Sequence, residues 1–153
     1  MYNKSTAAQN YLEKQIMTAT PAERIVLLYD GGIRFLMLAK KNIEEGDIQS
    51  RFNNNKRAGD IITYLMATLD KERGGEIAEN LERLYVYMLH RLMDVDLKND
   101  ASAIDDVVGK LRTLRVSWEK ISKGEIGPDG VLAEERKESP KDEKSLQKCN
   151  ALA

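Results

Sequence analysis

Along most of the chain the apolar residues recur at steps of three and four, the spacing that lines one face of a helix. The sharpest start is Thr20-Pro21-Ala22-Glu23. It has a hydroxyl N-cap, a proline at the first helical position where its missing N–H is not needed, and a glutamate that can return a bond to the cap. From there Ile25, Leu28, Gly32, Phe35, Leu36, Ala39 and Ile43 form a stripe, and Gly46 can take the left-handed conformation that ends a helix. The pattern predicts a helix over Pro21–Glu45. A second helix is expected over 49–72, burying Phe52, Ala58, Ile61, Ile62, Leu65 and Leu69 and stopping at the double glycine Gly74-Gly75. A third, over 76–96, carries Ile77, Leu81, Leu84, Tyr85, Met88, Leu89 and Leu92. The fourth opens at Asp100 to Ser102, carries Ile104, Val107, Val108, Leu111, Leu114, Trp118 and Ile121, and ends at Gly124. No segment of comparable length alternates with period two.

Long helices joined by short links fold back on one another, so the expected fold is all-α, an antiparallel up-down four-helix bundle. Residues 1–19 read as an N-terminal appendage with a short amphipathic helix over 5–17, and 20–124 as the bundle. Residues 125–153 hold Gly127-Pro128-Asp129-Gly130 and then a charged run poor in apolar residues. They read as a disordered tail with at most a brief helix over 131–137.

Composition narrows the function. With 42% hydrophobic and 32% charged residues and only 3 prolines, the chain fits a globular helical protein of one domain. No apolar run reaches the roughly 20 residues of a spanning helix, and the start MYNKSTAAQNY lacks the features of a secretory signal, so no membrane insertion and a cytoplasmic location are expected. A formal net charge of -1 writes no electrostatic footprint for nucleic acid. Arg34, Lys40, Lys41, Arg51, Lys56 and Arg57 lack aromatic interleaving and read as a solvated basic face. The single cysteine, Cys149, has no second thiol to pair with and reads as an incidental exposed thiol.

No catalytic, cofactor-binding or metal-ligating residues are assigned. His90 is the only histidine, and Tyr87 stands where a di-iron bundle needs a glutamate three residues before it. Adjacent carboxylates such as Asp105-Asp106 and Glu44-Glu45 diverge by about 100° on a helix and do not converge on a metal or share a proton easily. Gly31-Gly32 follows no strand and belongs to no phosphate loop. A glycine inside a helix costs about 1 kcal/mol against alanine, and close helix packing is the better reason for this pair. The expected class is therefore a binding protein that is not an enzyme.

What exceeds a plain bundle is the apolar surface. Ile25, Val26, Leu27, Leu28 and Tyr29 are consecutive, so they point all round the helix and cannot share one core. Methionines Met17, Met37, Met66, Met88 and Met93, with Tyr29, Tyr64, Tyr85 and Tyr87, supply deformable and amphipathic side chains suited to a groove. The residues alone leave a groove and a deeply buried first helix equally open.

The motifs Met1-Tyr2, Thr20-Pro21, Leu28-Tyr29-Asp30-Gly31, Leu69-Asp70, Gly74-Gly75-Glu76-Ile77-Ala78, Asn80-Leu81, Leu84-Tyr85, Asn99-Asp100 and Trp118 occur in an order that resembles the flagellar export chaperone family FliS, over about residues 1–124. The resemblance implies a cytosolic bundle that binds the disordered C-terminal region of flagellin, prevents its premature polymerisation and supports its export, with other flagellar regulators or export components as further partners. It implies that Tyr11, Leu12 and Ile16 lie in a replaceable cap over an apolar groove. Ile25, Leu28, Tyr29, Ile33, Tyr85, Met88 and Trp118 are expected to divide between core and groove. Val86 and Val95-Asp96 depart from frequent family residues. The alternative from another class is a structural or regulatory bundle that self-associates through the same surface, and a weak homodimer without client fits either reading.

Overall fold

The computed structural model describes residues 4–125, and the expected tail lies outside them. Five helices follow one another: α1 (Lys4–Thr18), α2 (Pro21–Glu45), α3 (Ile48–Ala67), α4 (Lys71–Lys98) and α5 (Ala101–Ser122). Each start in the bundle has a side-chain cap. Thr20 Oγ1 accepts from the Glu23 amide at 3.2 Å while Glu23 Oε2 accepts from the Thr20 amide at 2.8 Å, the reciprocal pair written into Thr-Pro-Ala-Glu. Asp47, Asp70 and Asp100 cap α3, α4 and α5 by accepting amides from one turn ahead. Gly46 (φ 71°) and Asn99 (φ 55°) end α2 and α4 in the left-handed conformation.

α2 to α5 form an all-α, antiparallel up-down four-helix bundle. α2 and α4 stand on one diagonal, α3 and α5 on the other. Contacts fix the direction of each seam. Asn42 meets Asn54 and Gly31 meets Ile61, so α2 and α3 run oppositely. Asp30 meets Arg115 and Lys40 meets Asp105 between α2 and α5, while Asn55 meets Leu92 and Arg51 meets Asn99 between α3 and α4. The core is Tyr29, Leu36, Ile62, Leu65, Tyr85, Met88, Val95, Ile104, Val107 and Leu111. Each large aliphatic side chain so buried stabilises the fold by about 1.5 to 3 kcal/mol.

Gly31 and Gly32 let two neighbours close on α2. A Cβ on Gly31 would stand 3.3 Å from Ile61 Cδ1, and one on Gly32 would stand 3.5 Å from Leu111 Cδ1. Gly31 thus serves close packing against α3, whereas the distance at Gly32 is ordinary contact with α5.

Three expectations are corrected. The second long helix ends at Ala67 and not at residue 72, because Thr68 caps it and Asp70 starts a new helix. Gly75 (φ 50°, ψ -125°) then breaks the opening of that new helix, so the glycines kink α4 and do not end α3. Phe52 and Ile77, expected inside, are 46% and 59% exposed. Arg51, expected on a solvated face, is buried. It donates to Asn99 Oδ1 at 2.8 Å and to the Asp96 carbonyl at 3.3 Å, and Asn55 one turn on donates to the Leu92 carbonyl at 2.9 Å. The guanidinium sits at the C-terminal end of α4, where the helix dipole favours a cation. These two polar residues take the core-facing line at this end of α3, which turns Phe52 outward.

Candidate interaction surface

The consecutive run from Ile25 to Tyr29 resolves into layers. Tyr29 is fully buried, Ile25 and Leu28 pack against the core while keeping part of their surface, and Val26 and Leu27 are half-buried on the outside. Of the residues expected to divide between core and groove, Tyr29, Tyr85 and Met88 lie inside the closed bundle. Ile25, Leu28, Ile33 and Trp118 form its half-buried edge. Tyr29 and Tyr85 meet across the α2–α4 diagonal, hydroxyl to hydroxyl at 2.5 Å. Burial pushes both phenols above their ordinary value, because a phenolate there would lose its water.

Tyr11 and Leu12 are exposed on α1, which does not lie over the bundle here. The C-terminal end of α1 overhangs an open crevice of about 440 Å³, walled by Val26 and Leu27 of α2 and by Arg115 and Glu119 of α5. Ile16 falls among residues whose side chains lie outside the description.

The most apolar exterior lies along the α3–α4 seam. Gly59 faces Leu89, whose Cδ2 would stand 3.9 Å from an added Cβ. Phe52 lies seven residues before Gly59 and Ile48 four before Phe52, so both share the flank of α3 that turns toward α4. Val86, Met93 and Leu97 lie three before, four after and eight after Leu89, and share the matching flank of α4. Ile48, Phe52, Val86, Met93 and Leu97 are all exposed, Leu97 to 75%. Side chains from two antiparallel helices thus edge a greasy trough with a glycine notch in its floor. Phe52, expected in the core, belongs to this exterior, and Leu97 lies outside every stripe the sequence pattern predicts. The signal that could have found the trough is the four- and seven-residue spacing of Val86, Met93 and Leu97 on the flank next to the core line of Tyr85 and Leu92.

The other flank of α4 is polar. Asp106 of α5 accepts from Lys110, from the Tyr87 hydroxyl at 2.6 Å and from Arg91 at 3.2 Å. These donors, Lys110 and then Tyr87 foremost, hold its carboxyl down to about 2. Asp105, its neighbour, points instead to Lys40 of α2 at 2.8 Å. The two carboxylates therefore stitch different seams and form no acid-base pair. His90 is exposed. Among the described residues no three His, Cys, Asp or Glu side chains converge on a metal position, and no helix is long and apolar enough to cross a membrane.

Comparison with known proteins agrees with this arrangement. Residues 2–125 match the family described as flagellar protein FliS. The chain is 41% identical to the flagellar secretion chaperone FliS of Salmonella typhimurium, over 75% of this chain and 86% of that protein. It is 39% identical to FliSB of Pseudomonas aeruginosa, over 72% and 88%, and 32% identical to FliS of Bacillus subtilis, over 75% and 85%. These relatives are chaperones and not enzymes, and the chain belongs to the FliS family of flagellar secretion chaperones.

Proposed function

We propose that the chain holds the disordered C-terminal segment of flagellin in the cytosol, keeps it from polymerising and hands it to the export machinery. The observation that carries this reading is the surplus of apolar side chain outside the closed core, concentrated on the α3–α4 seam at Phe52, Met93 and Leu97. Segments that become packed helices in a filament expose apolar stripes beforehand, and such a stripe fits a trough of this kind as a helix in a groove. The cost of ordering the segment lowers the net affinity, so release needs no nucleotide.

Within this reading residues 20–124 are the chaperone unit, and residues 1–19 are an appendage whose Tyr11, Leu12 and Ile16 contact the client or cover its seat. Ile25, Leu28, Ile33 and Trp118 are reachable at the bundle edge. Tyr29, Tyr85 and Met88 support the seat from beneath unless the helices part.

Titration of the chain with a flagellin C-terminal peptide tests the proposal. Saturable one-to-one binding is expected, weakened at least tenfold by the double change Phe52→Asp and Met93→Asp, both at exposed sites. Absence of binding at tens of micromolar would remove the proposal. Sedimentation of the chain alone would then show whether the same exterior pairs two copies instead.

A further inference from the structure

The outer seam between α2 and α3, on the other side of α3 from the apolar trough, has a different chemistry. The Arg34 guanidinium stands 5.0 Å from the centre of the Phe35 ring and that of Arg57 stands 5.5 Å from the same centre. One half-buried ring thus has a guanidinium from each of two adjacent helices within 5.5 Å of its centre. Exposed Leu38 and Tyr64 flank them, one turn along α2 and two turns along α3. Below the ring, Gly31 opens the seam onto Ile61.

Acids that would ordinarily neutralise these arginines are close in sequence but engaged elsewhere. Asp30, one turn before Arg34, is taken by Arg115 of α5. Asp60, one turn after Arg57, pairs with Lys56 at 3.0 Å. Glu45, at the end of α2, pairs with Lys41 at 3.7 Å. Among the described residues Arg34 and Arg57 ion-pair with no carboxylate, so both charges are open to an anionic partner.

We propose that Arg34 and Arg57 seat a carboxylate of the client segment, so that the α2–α3 seam takes an acidic amphipathic helix while the α3–α4 trough takes a purely apolar one. The inference rests on the client-holding function proposed above. Charge complementarity names the occupant: an Asp or Glu with apolar neighbours three or four residues away, which would lie on Leu38, Ile61 and Tyr64. Guanidiniums suit this role because their planar forks match a carboxylate and stacking on an aromatic ring fixes them beforehand. Segments with an apolar stripe but no acid would bind at the trough alone.

The experiment is titration of the full chain with a flagellin C-terminal peptide at low and at high salt, for wild type and for the double variant Arg34→Gln and Arg57→Gln. Both positions are exposed, and helix content by circular dichroism checks the fold. Binding by the double variant should be about fivefold weaker at low salt, and its salt dependence should be smaller. Replacing the acidic residues of the peptide by amides one at a time should find one whose loss weakens wild type by a similar factor and leaves the double variant unaffected. Equal affinity and equal salt dependence in wild type and double variant would overturn the carboxylate seat and leave the client-holding function standing. A peptide that fails to bind wild type would overturn both.

Discussion

The hydroxyls of Tyr29 and Tyr85 meet at 2.5 Å in the middle of the bundle, linking the two helices on its long diagonal. Neither phenol has access to water, and each is the other's buried partner. Removing one hydroxyl leaves the other desolvated and unpaid by a hydrogen bond, whereas removing both leaves an apolar contact of nearly the same shape.

Tyr29→Phe should therefore cost about 1 to 3 kcal/mol, and the double variant with Tyr85→Phe should recover most of that loss. Chemical denaturation of the two single variants and the double variant closes the cycle. Additive losses would mean that the two hydroxyls do not depend on each other.

The same burial sets an alkaline limit. Both phenols are raised in the folded chain, so the unfolded chain releases its protons first, near pH 10. Stability contributed by the neutral pair is complete below that pH and falls as pH rises beyond it. Melting temperature against pH should decline more steeply above pH 10 for wild type than for the Tyr29→Phe, Tyr85→Phe double variant.

Asp106 sets the opposite limit. Its carboxyl is held at about 2 by Lys110, Tyr87 and Arg91, against an ordinary value of about 4. A lowered value stabilises the fold above the unfolded pKa, and that contribution is lost as pH falls through the folded one. Wild type should melt above Asp106→Asn at pH 6, and the gap should close between about pH 4 and pH 2. A gap that stays constant over that window would mean that the charge of Asp106 does not matter.

Gly31 and Gly32 should respond differently to alanine. Gly32→Ala places its methyl at ordinary contact distance from Leu111 and Ile61, so the helical gain of about 0.5 to 1 kcal/mol should appear as added stability. Gly31→Ala crowds Ile61 Cδ1 at 3.3 Å, which offsets that gain. Thermal melts that rank Gly31→Ala above Gly32→Ala would contradict this reading of the α2–α3 seam.

Helix order, caps and most of the core were legible because they depend on local chemistry. Thr20 and Glu23, Gly46, and the three- and four-step stripes through Leu36, Ile62, Met88 and Ile104 each speak within a few residues. The surface was less legible because it depends on register between helices. No local rule puts Arg51 and Asn55 on the inner line of α3. They are there because α4 brings Asn99 and the Leu92 and Asp96 carbonyls opposite them, and Phe52 is displaced outward as a result. Tyr29 was ambiguous for a similar reason. A tyrosine within an apolar run suits a groove as well as a core, and only Tyr85, fifty-six residues away, decides between them. The seat for α1 is not encoded in its own stripe, since Tyr11 and Leu12 mark a face without naming what covers it.

The heat capacity of binding tests the central claim most directly, because burial of apolar surface makes it negative whatever the enthalpy at one temperature. Calorimetric titrations of a flagellin C-terminal peptide at several temperatures should give a clearly negative slope of enthalpy for wild type, and a smaller one for the Phe52→Asp, Met93→Asp variant. A slope near zero, or one that the two aspartates leave unchanged, would contradict a client seat in the trough between α3 and α4.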